Sequence, residues 1–184
     1  EVANPEAAGV GVENPAVGPV EGAPVAWVNS EPGRLAVMTL GSAQPRDTPI
    51  AGATAPSVDR FGVVWVSSTD SPGVVWAVAP GREPLQVPVP FDGEVAAVRV
   101  SPDGSRALLL TRGGAGSQVW LATIRRNDVE AQYSFEAVTE LDLFPPIVEG
   151  LTWVGETTVA ALVPEGEEST IEVFSLGGWQ QVLS

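Results

Sequence analysis

The sequence contains no cysteine, no histidine and no lysine. Each absence removes a class of chemistry. Without cysteine there is no disulfide, no thiolate nucleophile and no inference about redox compartment. Without histidine, imidazole-assisted serine catalysis and ordinary zinc coordination lack their donor within this chain. Without lysine, Schiff bases, Ser-Lys dyads and the phosphate-binding lysine of a P-loop are excluded. No glycine-rich strand-to-helix loop of the dinucleotide-binding kind occurs, so no cofactor is expected.

Long hydrophobic runs are also missing. The longest, Val74 to Ala79, is too short to span a bilayer, and no signal peptide is visible. The chain starts at Glu1 rather than Met, which reads as a processed product or an excerpt, with targeting information expected outside it. Positive charge is scarce: 23 acidic residues face 9 basic ones, all arginine, for a net charge of −14. Such a surface repels nucleic-acid backbones and anionic membranes, and its plainest role is solubility.

What remains is globular in composition. Apolar residues make up 44% of 184, enough for a core, and 20 Gly with 17 Pro imply many turns. Residues 1–22 show no helical or strand period and read as an irregular linker or extension, with the folded domain over 23–184. From there an apolar run, a polar or Gly/Pro turn and a second apolar run recur four times. They are Ala26–Val28 to Arg34–Val37, Val64–Val66 to Val74–Ala77, Leu108–Leu110 to Gln118–Leu121, and Ala160–Leu162 to Thr170–Val173. These are hairpins by pattern.

The first run of each hairpin is continuously apolar, which means a strand covered on both faces. The hairpins recur at intervals of 38, 44 and 52 residues (27 to 65, 65 to 109, 109 to 161). Several strands in a repeat of that length point to an all-β fold, a β-propeller of about four blades in this chain, read as part of a longer ring. A β-sandwich is the competing arrangement. Glu94 to Val100 and Val148 to Val154 are expected as innermost strands, and Leu85 to Val89 and Gln180 to Leu183 as outer ones. The first blade shows no innermost strand. Residues 126–146 read as the longest connection, holding one strand and a short turn near Phe135 to Thr139.

Carboxylates are the one surviving catalytic route. Asp59, Asp103 and Glu156 occupy equivalent turns between the first two strands of a blade and would ring one rim. A glycosidase needs two facing carboxyls. The competing reading, that Asp59-Arg60 and Asp103-Gly104 shape turns by capping backbone N–H groups, is the stronger, so no catalytic residue is assigned. The acidic loop Glu165-Gly166-Glu167-Glu168 lacks the ligand spacing of a calcium loop and reads as a solvated hairpin tip, so no metal site is assigned. Arg125, Arg126 and Asp128, with Asn127, form a basic spot that serves either an acidic partner or a strand-end turn in which one arginine pairs with an acid. Trp27, Trp65, Trp76, Trp120 and Trp153 lie inside apolar runs and read as packing between blades. Trp179, after Gly177-Gly178, is the tryptophan expected at the surface and joins the partner-contact set.

Four segments carry a resemblance, among them Ile124-Arg125-Arg126-Asn127-Asp128, which resembles a post-strand Val-Arg-Asp region, and Leu151-Thr152-Trp153 through Val163, which resembles a Trp-containing strand pair, of the family that the other two point to. Pro56-Ser57-Val58-Asp59-Arg60-Phe61-Gly62-Val63-Val64-Trp65 resembles the Pro-Ser-x-Asp-Arg-x-Gly-x-Val-Trp segment of the LpqB lipoproteins of actinobacteria. Ala97-Val98-Arg99-Val100-Ser101-Pro102-Asp103-Gly104-Ser105-Arg106 resembles their Ala-Leu-Arg-Val-Ser-x-Asp-Gly-x-Arg segment, and the order of segments agrees over roughly residues 25–180. Position 61 is Phe where Arg is common in the family. The resemblance implies a C-terminal propeller domain, preceded in the full protein by a GerMN-type domain and a lipid-anchored N-terminus. It also implies a place outside the cytoplasmic membrane and a partner, the extracytoplasmic domain of an MtrB-type sensor histidine kinase whose two-component signalling in the cell envelope it modulates. Membrane association would then come only through an anchor outside this chain. The expectation is a non-enzymatic interaction domain. The alternatives are a sensor of a small cell-envelope ligand in a central channel lined by Glu94, Arg99 and Glu149, and last a carboxylate glycan hydrolase.

Overall fold

The doubly apolar runs become strands buried from both sides, and this sets the architecture. The computed structural model describes residues 12–17, 24–29, 33–39, 44–113, 116–127, 130, 132–166 and 168–176. Among them are fifteen strands and no helix, in four antiparallel sheets. The first contains β1 (Val12–Val17), β2 (Pro24–Asn29), β3 (Leu35–Thr39) and β4 (Arg46–Asp47). The second contains β5 (Ser57–Val58), β6 (Val64–Ser67), β7 (Val74–Val78) and β8 (Leu85–Pro88). The third contains β9 (Glu94–Val100), β10 (Arg106–Gly113), β11 (Gly116–Asn127) and β12 (Gln132–Glu140). The fourth contains β13 (Gly150–Trp153), β14 (Thr158–Glu165) and β15 (Glu168–Ser175).

In every sheet the strands pair in chain order. The first strands of successive sheets touch one another, β1 with β5, β5 with β9 and β9 with β13, so they form the inner edge of the stack. The four hairpins read from the sequence are present. Trp27 lies opposite Ala36, Trp65 opposite Ala77, Leu110 opposite Val119 and Leu162 opposite Ile171. The observed β9 and β13 fall in the segments expected for innermost strands and β8 in one expected for an outer strand. The other outer segment, 180–183, lies outside the described residues.

Three clusters fill the spaces between sheets. Ala26, Leu35, Val64 and Val66 meet between the first and second. Trp65, Val75, Val98 and Leu109 meet between the second and third, and Leu108, Leu110, Leu151 and Ala161 between the third and fourth. In β10, Leu109 points one way and Leu108 and Leu110 the other, which is why Leu-Leu-Leu is buried throughout. At about 25 cal/mol per Å² of apolar surface removed from water, each contributes on the order of 2 kcal/mol.

Three expectations are corrected. Val12–Val17 is not part of an irregular extension but pairs with β2, so the first sheet has its innermost strand. The pattern was hidden because the register shifts between Glu13 and Ala16, around Pro15, which has no N–H to give a ladder. Phe135 to Thr139 is not a turn but part of β12. A bulge there, with Ala137 at φ 47°, opposes Glu136 and Thr139 to Thr123 and Leu121 and so breaks the alternation. The connection read over residues 126–146 does not begin at Arg126: Arg125, Arg126 and Asn127 are the last residues of β11, which runs twelve residues.

Candidate functional site

The loops joining first to second strands and third to fourth strands lie on one rim. Its centre is the turn Asp59 to Gly62. The Gly62 N–H donates to the Asp59 carbonyl at 3.0 Å, with Gly62 at φ +76°. One oxygen of the Asp59 carboxylate accepts the backbone N–H groups of Phe61 (2.8 Å) and Val63 (3.0 Å). The other accepts the Trp65 indole N–H at 2.7 Å and the Arg126 guanidinium at 2.6 Å. The carboxylate is buried, so four donors replace the water it has lost.

Arg126 comes from β11 of the neighbouring sheet. Besides Asp59 it donates to the Gly104 carbonyl at 2.7 Å, and its guanidinium carbon lies 4.7 Å from the Phe61 ring centre, 5.5 Å from Trp65 and 5.8 Å from Tyr133. Its charge is thus shared between one carboxylate and three aromatic faces. Phe61 lies above this pair and is 55% exposed. Arg60 sits 5.4 Å from the same ring. Gly104, at φ +71°, makes room: a Cβ there would come within 2.9 Å of the Phe61 ring. An apolar ring thus stands at the surface against two arginines.

The next turn repeats the device with local partners. Asp103 accepts hydrogen bonds from the Ser101 hydroxyl, the Ser105 hydroxyl (2.7 Å) and the Ser105 N–H (3.1 Å). Partial burial opposes its charge, but these hydrogen bonds and the Arg106 charge outweigh burial and hold the carboxyl at about 2. In the third turn Glu156 is exposed, and its carbonyl, not its carboxylate, accepts from Arg106, whose guanidinium lies 5.3 Å from the Trp153 ring. Val154 beside it is exposed. A carboxyl held at about 2, as in Asp103, is unsuited to giving a proton near neutral pH. Among the described residues no group of three or more acids is placed to hold a metal ion.

The inner edge is occupied by structural bonds. Arg99, its pKa lowered by burial, donates to the carbonyls of Leu151 (3.0 Å), Ala55 (2.9 Å) and Val98 (2.8 Å). The Trp153 indole returns a bond to the Arg99 carbonyl at 2.9 Å. Arg99 therefore ties the third sheet to β13 of the fourth and to the segment that leads into β5 of the second. Glu94 and Glu149 are exposed. Glu149 instead borders an open groove of about 700 Å³ on the opposite rim, with Arg112, Ser117 and Ile147.

Of the residues expected to contact a partner, Arg125 is exposed and paired with Glu136 at 2.9 Å. Arg126 follows the competing reading, one arginine of the spot paired with an acid: its guanidinium is turned inward onto the buried Asp59 carboxylate. Asp128 and Trp179 lie outside the described residues. Phe61 was missed as a site residue. The available signal was a large aromatic inside a tight polar turn, next to an arginine. Trp27 and Trp65 are buried, and Trp76, Trp120 and Trp153 partly so.

Comparison with family models matches residues 1–184 to the lipoprotein LpqB β-propeller domain. A relative, lipoprotein LpqB of Streptomyces avermitilis, is 30% identical over 135 residues, covering 70% of this chain and 20% of its own length. Similar solved structures include TolB from Acinetobacter baumannii, with TM-score 0.65 and 16% identity over 91% of this chain and 42% of that one. Virginiamycin B lyase from Staphylococcus aureus gives 0.55 and 12% over 95% and 57%. The β-propeller domain of the trilobed protease from Pyrococcus furiosus gives 0.54 and 12% over 89% and 53%. At these identities the structures share the fold alone, and the fold serves a lyase as well as other proteins.

Proposed function

The chain belongs to the LpqB lipoprotein β-propeller family, and on that premise we propose that it is a non-enzymatic interaction domain acting outside the cytoplasmic membrane. In this reading the longer protein is lipid-anchored and modulates a membrane sensor histidine kinase by contacting its extracytoplasmic domain. The observation that carries the proposal is Phe61, an exposed aromatic on a rim in which the neighbouring carboxylates are engaged in turn hydrogen bonds. Exposed aromatic side chains make good binding anchors, because they bury a large area for few rotatable bonds. The lack of histidine, cysteine and lysine supports a binding role over a catalytic one.

The test is a titration of the kinase extracytoplasmic domain with the wild-type protein and with Phe61→Ala. Saturable binding is expected, weakened at least tenfold by the substitution, with a melting temperature close to wild type. No binding by the wild type would remove the proposal, and equal binding by both proteins would move the contact off this rim.

A further inference from the structure

On the rim that carries Phe61, the junctions between sheets are closed differently. Between the second and third sheets the Arg126 guanidinium fills the end of the junction, against Phe61 and Tyr133. Between the third and fourth, Arg106 lies over the Trp153 ring and donates to the Glu156 carbonyl. Between the first and second, no side chain of the described residues takes that place. A recess of about 230 Å³ remains, walled by Pro24 and Met38 from the first sheet and by Gly62, Val78 and Pro80 from the second. Arg46 stays at its edge, donating to the Glu83 carboxylate at 2.8 Å and the Arg82 carbonyl at 3.2 Å.

The walls are apolar and joined directly to Phe61. Gly62, the next residue, stands between Pro24 and Pro80, where a Cβ would lie 3.3 Å from each. An apolar cavity of about 150 Å³ holds a benzene ring, so this recess has room for a leucine, methionine or phenylalanine side chain.

Charge says what kind of segment carries that side chain. Six of the nine arginines, Arg46, Arg60, Arg82, Arg106, Arg125 and Arg126, stand at the loops of this rim. Arg60 and Arg82 flank the recess, one beside Phe61 and Gly62 and the other beside Gly81, and both are exposed. Among the described residues neither guanidinium has a hydrogen bond or an ion pair, and Arg60 lies only over the Phe61 ring. The nearby carboxylates of Asp59, Glu83 and Asp103 already hold donors. The opposite rim is the reverse. Asp70, Asp92, Glu94, Glu149, Glu165 and Glu168 are exposed there, against Arg34 and Arg112. A basic partner is drawn to that rim, and an acidic one is turned toward this one.

On the reading that the Phe61 rim is the partner contact, we propose that it takes an acidic segment of a protein partner. One apolar side chain of that segment enters the recess beside Gly62, and carboxylates on either side of it meet Arg60 and Arg82.

The test titrates the kinase extracytoplasmic domain with wild type, Phe61→Ala, the double variant Arg60→Glu with Arg82→Glu, and Thr39→Trp. Thr39 is exposed and lines the recess, so a tryptophan there is large enough to fill it. Melting temperatures are expected near wild type. The double variant is expected to bind at least tenfold more weakly in about 0.05 M sodium chloride, with a deficit that shrinks at about 0.5 M. Arg60→Lys with Arg82→Lys is expected to keep most of the affinity, because charge is the requirement. Thr39→Trp is expected to lose at least tenfold at both salt concentrations. If Phe61→Ala weakens binding while either the Glu double variant or Thr39→Trp binds like wild type, the rim remains the contact and this inference is overturned. Tighter binding by the Glu double variant, the sign of a basic partner, would also overturn it. So would capture of the wild type by phosphatidylglycerol vesicles that the Glu double variant loses, since the arginines would then serve a lipid surface. No binding of the kinase domain by the wild type removes both readings.

Discussion

Asp59 satisfies two backbone donors of its own turn, the indole of the strand that follows and the guanidinium of the next sheet. Removing one partner of a buried pair leaves the other uncompensated, at a cost of about 3–5 kcal/mol. Asp59→Ala is therefore expected to lower the urea midpoint markedly, and an unchanged midpoint would contradict the burial and bonding described. Asp103 makes a different prediction. Its carboxyl is held at about 2 in the folded chain against an ordinary 3.8, so its hydrogen bonds favour folding above that ordinary value. The contribution is lost as pH falls from about 4 through 2. Solvent screens a partly exposed group, so the effect is small. Wild type and Asp103→Asn should differ in stability at pH 6 and converge toward pH 2, as read by denaturant titration at each pH.

At the scale of the element, the bulge in β12 holds Ala137 at φ 47°, a conformation that costs a residue with a Cβ about 1 kcal/mol or more. Ala137→Gly is expected to raise stability by roughly 1 kcal/mol, less the entropy glycine loses on folding. A clear loss of stability would mean that the strand does not carry the bulge. β10 sets the opposite case. Leu109 is fully buried between the second and third sheets, and Leu109→Ala should cost about 2–5 kcal/mol by thermal or urea unfolding. Hairpins of this kind were legible because doubly covered strands leave uninterrupted apolar runs. β1 and the bulged part of β12 were not, because a register shift disrupts the two-residue period on which the reading depends.

Over the whole molecule, a net charge of −14 opposes compactness through self-repulsion, while the arginines are concentrated at contacts between sheets. Moderate salt screens the exposed acids more than the buried Asp59–Arg126 pair. Raising sodium chloride from about 0.05 to 0.5 M, which shortens the screening length well below 10 Å, should therefore raise the melting temperature. A fall would show that exposed ion pairs such as Arg46–Glu83 and Arg125–Glu136 matter more than repulsion.

The sequence by itself determined the all-β architecture, the four hairpins, the shared slot of Asp59, Asp103 and Glu156, and the chemistries that missing side chains exclude. Those properties follow from local period, turn residues and composition. Tertiary structure alone decided that Arg126 faces inward, that Arg99 bonds to β13 and to the segment before β5, and that Phe61 stands out on the rim. It also decided that Ile171 and Val173 on β15 lie exposed. The physical reason is distance along the chain. Arg126 meets Asp59 across 67 residues and Arg99 meets Leu151 across 52, so each pairing exists only once the sheets have stacked.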